Sequence, residues 1–457
     1  MRVPQPDTFA TVGPDMQVPL QVAVIGAGWA GCAAAVAATR QGHAVTLFEA
    51  AAEPGGRARS VTLPDGTTLD NGQHILIGAY RESLRLMQEL GVDTQSALLR
   101  LPLDLRTPDG HGLCMPSPAG HPQLDVLRAI LRARGWSWAA RLSLLRVAAR
   151  WQWQRFRAAE RATVQDVCHG LHPRVMADLV TPLCISAFNS QPADTSGSVF
   201  LRVLQDALLA ERGGSDALIA RESLGELLPR PAAQWLERKG ASVHLGCRVR
   251  AIHRSHQGMW ELAHDCKAAA SQVGRFDRII LAVPAREAAR LVSSIAPEWA
   301  DVARTLQHAP IATTYARYAG SKPLPPMQAL RDTPERPAQF VFSHDAQART
   351  TSGGRKGQLL AFVTSCCELE RDALENAIRA QASEQLGLEQ LDIIATLVDK
   401  RATFMCHAGV LRPPAGIAAG LQACGDYVEG PYPATLEGAV RSGLAAATAL
   451  PAASVNC

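Results

Sequence analysis

Hydrophobic and polar positions along this chain alternate between strand-like and helix-like rhythms. A short β-rich run at Gln21–Ile25 (QVAVI) stops at Gly26-Ala27-Gly28-Trp29-Ala30-Gly31, and an alanine-rich stretch then carries a helical pattern to about Gln41. Gly42 closes that helix, and Ala44–Phe48 (AVTLF) predicts a second strand ending at Glu49. Further along, Ala241–Ile252 (ASVHLGCRVRAI) alternates as a strand pair should, and Phe276–Pro284 predicts a buried strand. Near the other end, Leu421–Cys424 predicts a strand leading into Gly425-Asp426, a proline-rich turn over Val428–Pro433, and a helix from Ala434 to Ala447. The first twenty residues hold Pro4, Pro6, Pro14 and Pro19 but no apolar run, so they read as a frayed leader and not a signal peptide. No stretch reaches ~18 uninterrupted apolar residues, so any membrane contact is expected to be one-sided.

The opening pattern carries chemistry. In a GxGxxG turn between strand and helix, Gly26 permits the tight turn, Gly28 lets backbone approach a pyrophosphate, and Gly31 lets the helix lie close on the sheet. The N–H groups at the helix start, from Trp29 and Ala30 onward, together with the helix dipole, favour phosphate. Glu49, about twenty residues past the glycines, is placed to accept hydrogen bonds from a ribose hydroxyl. A dinucleotide is therefore expected on this turn.

Length and composition set bounds. The 457 residues exceed one ordinary core, and 47% hydrophobic with 19% charged residues describes a packed protein. A net charge of +4, from 46 basic and 42 acidic residues, argues against a design for nucleic acid. The 11 cysteines form no CxxC pair, and only Cys366 and Cys367 are adjacent, so neither a metal site nor a disulfide framework is expected and a reducing, cytoplasmic setting fits. Charge is instead concentrated locally. Val126–Ala159 carries eight arginines and no acid, with Trp136, Trp138, Trp151 and Trp153, half of the chain's 8 tryptophans. Such a segment reads equally as a surface lying on the anionic inner face of a membrane or as solvated basic helices whose tryptophans pack on the core. Thr181–Asn189 mixes small and apolar residues and reads as core more than as pocket lining.

Glu53-Pro54-Gly55-Gly56-Arg57-Ala58-Arg59-Ser60 follows the second strand closely and resembles the GGR continuation of the amine oxidase and phytoene desaturase superfamily. There the dinucleotide is FAD, glycines such as Gly56 let the chain pass the pyrophosphate and flavin, and the arginine, here Arg57, assists. Gly425-Asp426 resembles the superfamily's C-terminal motif, whose acid holds the flavin ribityl hydroxyls, and Val249 resembles the position whose backbone meets adenine. The resemblance implies a Rossmann-type, glutathione-reductase-like α/β FAD domain with an inserted mixed α+β substrate domain. FAD-domain pieces are expected at residues 18–101, 215–284 and 400–448, with substrate-side pieces at 102–214 and 285–399.

LDNGQHILIGAY (Leu69–Tyr80), SDALIARESLGELLP (Ser215–Pro229), KRATF (Lys400–Phe404) and GPYPATLEGAVRSG (Gly430–Gly443) together resemble the squalene-associated FAD-dependent desaturases, the hydroxysqualene dehydroxylases of bacterial hopanoid synthesis. One departure is Tyr427-Val428 after the Gly-Asp pair, where many relatives carry Trp then Thr. The implied reaction is reductive removal of an allylic hydroxyl, in which hydroxysqualene and reduced FAD give squalene, water and oxidised FAD. The cofactor carries the hydride and the protein positions an apolar chain. For the proton donor, Gln73, His74 and Tyr80 on one side and Glu429 and Tyr432 on the other are the candidates. No second glycine fingerprint is visible, so electrons are expected from a separate donor. The rival readings are a carotenoid-type desaturase, which would run hydride transfer in the other direction, and a non-catalytic prenyl-lipid carrier that has lost its flavin. An amine oxidase ranks lower because no aromatic cage can be assigned.

Overall fold

The computed structural model describes residues 19–64, 66–116, 121–266, 274–344 and 357–451; the expected leader lies, up to residue 18, outside them. Six strands form the central sheet in the order Gly416–Ala418, Leu421–Ala423, Arg278–Leu281, Gln21–Ile25, Ala44–Phe48, Ser242–His244. All neighbours run parallel except the first pair. Covered on both faces, the central strands Gln21–Ile25 and Arg278–Leu281 are mostly buried apolar runs, as a covered parallel sheet requires. Strands far apart in sequence therefore meet in one sheet, with Gln21–Ile25 at its centre.

The helix Trp29–Arg40 lies on this sheet and packs against the last helix, Leu436–Thr448. Small residues set the spacing: a Cβ at Gly443 would sit 2.1 Å from the Ala30 carbonyl oxygen, so the helices touch backbone to backbone.

The Ala241–Ile252 segment does form strands, but they do not pair with each other. Ser242–His244 joins the parallel sheet, while Val249–Arg254 turns into a three-stranded antiparallel sheet with Trp260–His264 and Arg275–Phe276. The break comes at Gly246, whose φ is +66°, and the turn is anchored where the Gly246 and Cys247 amides donate to the Ala51 and Glu49 carbonyls. The same antiparallel hairpin corrects the cysteine reading. Cys247 and Cys266 are disulfide-bonded, and the three ligand-type atoms of Cys247, His264 and Cys266 lie within 4.8 Å of one another.

A second, five-stranded antiparallel sheet has the order Met327–Ala329, Phe340–Ser343, Gln358–Ser365, His308–Tyr318, Asp392–Phe404. Its last strand runs unbroken through the division expected at residue 400. A smaller sheet, Ile75–Ile77, Ala217–Ala220, Leu98–Leu101, shares a core with it through Ile219, Tyr315, Phe340 and Phe342. The helices Pro122–Arg132, Trp138–Trp153, Thr181–Phe188 and Gly197–Gln205 close the space beside these sheets.

Candidate functional site

The glycine turn adopts the geometry its spacing predicts. Gly26 takes φ +105° and packs so tightly that a Cβ would lie 2.5 Å from the Ala282 carbonyl oxygen. Gly28 is the N-cap of the helix Trp29–Arg40; no side chain caps it and no acid stands in its first turn. The first intrahelical bond is donated by Cys32, so the amides of Trp29, Ala30 and Gly31 are free of helix partners and open to a phosphate.

Glu49 sits at the end of strand Ala44–Phe48, where one carboxylate oxygen accepts the Ala27 N–H at 2.7 Å and the other the Ala51 N–H at 2.8 Å. These bonds fix the acid beside the turn while leaving further lone pairs for a ribose. Gly55 donates to the Ala27 carbonyl, and this brings Gly56 over Gly28. A Cβ at Gly56 would lie 3.3 Å from the Gly28 Cα, so two bare backbones face each other beside the helix start. The indole N–H of Trp29 is buried with no partner among the described residues. Val249 is buried at the start of its strand, paired with His264. Glycine cradle, uncapped helix start and oriented acid together fit a dinucleotide.

Arg57 closes the other side. One guanidinium nitrogen meets Asp426, which follows the strand Leu421–Ala423 and the Gly425 turn, at 2.5 Å, and another donates to the Ala402 carbonyl at 2.7 Å. Asp426 is the first cause holding the Arg57 pKa above its ordinary value.

From Arg57 and His74 a predominantly apolar cavity of about 430 Å³ reaches the helices Pro122–Arg132 and Trp138–Trp153, where Val126, Ile130, Leu144 and Trp151 form its wall. Gln73, His74, Tyr80 and Tyr432 all line it; Glu429 does not and is exposed, because its stretch is turned outward where Arg412 clasps the carbonyls of Val428 and Gly430. His74 Nδ1 faces the Gly72 carbonyl at 2.8 Å and must carry the hydrogen, so Nε2 is the acceptor. Burial, the largest influence, lowers its pKa. Burial likewise raises the pKa of Tyr80. The Thr181–Asn189 stretch, read as core, is lining as well as core: Leu183 and Phe188 reach the cavity. Asp206 also lines it, unmarked by any sequence motif.

A covered parallel sheet with a dinucleotide cradle, joined to a predominantly apolar cavity, defines the class: a flavoprotein oxidoreductase. Residues 29–451 match the flavin-containing amine oxidoreductases, and the chain belongs to that family. It binds FAD. It is 26% identical over 451 residues to a hydroxysqualene dehydroxylase of Sinorhizobium fredii, covering 94% of this chain and 98% of the relative. Identity to a hydroxysqualene dehydroxylase of Rhodopseudomonas palustris is 28% over 450 residues, covering 93% and 97%. The crystal structure of an oxidoreductase from Methanosarcina mazei shares the fold with a TM-score of 0.70 at 16% identity, over 93% of this chain and 99% of that one.

Proposed function

We propose that this oxidoreductase removes the allylic hydroxyl of hydroxysqualene to yield squalene and water, as a step toward hopanoids. The observation that carries the reading is the deep, predominantly apolar cavity that ends at Arg57 and His74, beside the FAD cradle. Two relatives that align over nearly the whole chain bear that activity in their names. When bound and reduced, FAD supplies the hydride. The chain's own part is to hold a flexible hydrocarbon against the flavin end and to keep water from competing for a developing carbocation. Arg57 and Asp426 brace the cofactor end, and burial, which lowers the His74 pKa, disfavours a competing positive charge there. Electrons come from a separate donor.

The same reading takes the substrate from a bilayer. The helices that wall the cavity with Val126, Ile130 and Leu144 expose Leu127, Leu131, Trp138, Leu142 and Trp153 on their other faces, within the arginine-rich segment, with Leu124 exposed just before it. An apolar face with a cationic surround suits an anionic lipid surface. Among the described residues no helix is long and apolar enough to cross a membrane.

The deciding experiment is anaerobic incubation of the photoreduced holoenzyme with hydroxysqualene. Squalene formed in step with flavin oxidation supports the proposal. Failure to form squalene, together with dehydrogenation of phytoene or squalene by the oxidised enzyme, would assign it to the desaturases instead.

A further inference from the structure

We propose that Asp206, held by Tyr432 and Arg202, is the anchor for the substrate's hydroxyl and the residue that sets specificity for the alcohol over the hydrocarbon; this rests on the reading above. Asp206 and Tyr432 come from chain segments 226 residues apart and meet at the cavity, where the Tyr432 hydroxyl donates to Asp206 Oδ2 at 2.6 Å. Arg202 Nε donates to the same oxygen at 2.6 Å. Both bonds fall on Oδ2, and Oδ1 is left to accept from whatever enters. Asp206 is partly buried where it lines the cavity, and a ligand hydroxyl entering there can donate to Oδ1 in place of solvent.

The surrounding backbone is built around the pair. Asp206 opens a single π-helical turn, Asp206–Ala210, a feature common at functional sites, and Tyr432 is held at φ +60°, a strained conformation for an aromatic residue. The Arg441 and Arg202 guanidinium carbons stand 5.0 and 5.8 Å from the Tyr432 ring centroid. These cations fix the ring and balance the carboxylate.

Substrate and product of the proposed reaction differ in the hydroxyl alone. Its hydrogen bond to Oδ1 holds the alcohol, and once the C–O bond has broken and water has left, the hydrocarbon has nothing to offer that oxygen. A site that hydrogen-bonds an OH rejects the analogue lacking it far better than a methylene pocket distinguishes lengths. The anchor thus favours binding of substrate and release of product.

The test is equilibrium partitioning of labelled hydroxysqualene and labelled squalene onto the oxidised FAD-loaded enzyme, where no turnover occurs. Wild type is expected to prefer hydroxysqualene by about 10- to 100-fold, the worth of one hydrogen bond to a charged group. Asp206→Ala should bring that ratio to within about twofold, through hydroxysqualene alone, with flavin content unchanged. Asp206→Asn keeps its amide oxygen on the Tyr432 and Arg202 donors, so folding and flavin content should match wild type, but it presents an NH2 where Oδ1 stood and should lose most of the preference, which separates loss of the acceptor from a folding artefact in the alanine variant. Equal discrimination by Asp206→Ala and wild type, or none by wild type, overturns the assignment. Failure of the reduced enzyme to make squalene would sink the proposed reaction and leave this binding result standing.

Discussion

Arg57 and Asp426, 369 residues apart in the chain, meet at 2.5 Å. The contact ties the glycine loop after the second strand to the turn before the last helix, and the bond from Arg57 to the Ala402 carbonyl draws in the long antiparallel strand as well. Asp426 is only 8% exposed at its side chain, so it depends on this partner; Arg57, at 37%, depends on it less. Arg57→Ala should therefore leave a buried unpaired carboxylate, cost about 2 kcal/mol in denaturant unfolding, and lower FAD retained through gel filtration. Arg57→Lys should recover part of the stability but less of the FAD, since a point charge cannot make both bonds. Unaltered stability and flavin content in Arg57→Ala would remove the pair from the architecture of the site.

The glycines of the turn predict opposite failures. At Gly31 a Cβ would lie 1.8 Å from the Gly26 carbonyl oxygen, an overlap that no side-chain motion relieves. Gly31→Ala should lose more than about 3 kcal/mol of stability. At Gly28 the nearest atom to an added Cβ is the Gly56 Cα, 3.9 Å away, so a methyl group fits the protein and fills the space where phosphate passes. Gly28→Ala should fold normally by circular dichroism yet lack flavin absorbance. Full flavin occupancy in that variant would move the pyrophosphate elsewhere.

Legibility in the sequence followed the range of the interaction. The turn from Gly26 to Gly31 and the acid at Glu49 could be placed because strand, helix and glycine conformations are local. Arg57 and Asp426 each stood out as a motif, but their contact depends on how the sheet brings distant ends together. Cys247 and Cys266, 19 residues apart, are joined by the register of a hairpin that no cysteine spacing announces. Glu429 was misplaced because the backbone clasp by Arg412 turns the stretch outward. Asp206 left no trace, for it follows an ordinary amphipathic helix and gains meaning only against Tyr432.

The tryptophans of the basic segment divide between both readings of it. Trp136 and Trp151 are buried, their indole N–H groups bonded to Asp178 and to the Val167 carbonyl, whereas Trp138 and Trp153 are 65% and 85% exposed. Because the exposed pair contributes little to packing, Trp138→Ala with Trp153→Ala should change stability by less than about 1 kcal/mol. Sedimentation with anionic phospholipid vesicles should fall by about tenfold in the double variant, and wild-type binding should weaken as salt is raised. Wild-type protein left in the supernatant at low salt would rule out bilayer docking through these helices.

A last expectation concerns pH. Asp70 ends the strand Thr68–Asp70, its backbone carbonyl accepts the Tyr315 hydroxyl, and its carboxylate accepts bonds from the Leu224 N–H and Ser60 hydroxyl. Burial outweighs those bonds and pushes its pKa up to about 6. The folded state thus binds this proton more tightly than the unfolded chain, whose carboxyl titrates near ~3.9. The stabilisation is complete below that value and is lost as pH rises through about 6, beyond which the folded protein carries a buried charge. Asp70→Asn removes the titration and keeps an acceptor for the Leu224 amide. It should match wild type in unfolding free energy at acid pH and exceed it on the order of 2 kcal/mol at pH ~7.5. An equal difference at both pH values would show that Asp70 titrates as an ordinary surface acid and carries no buried charge at neutral pH.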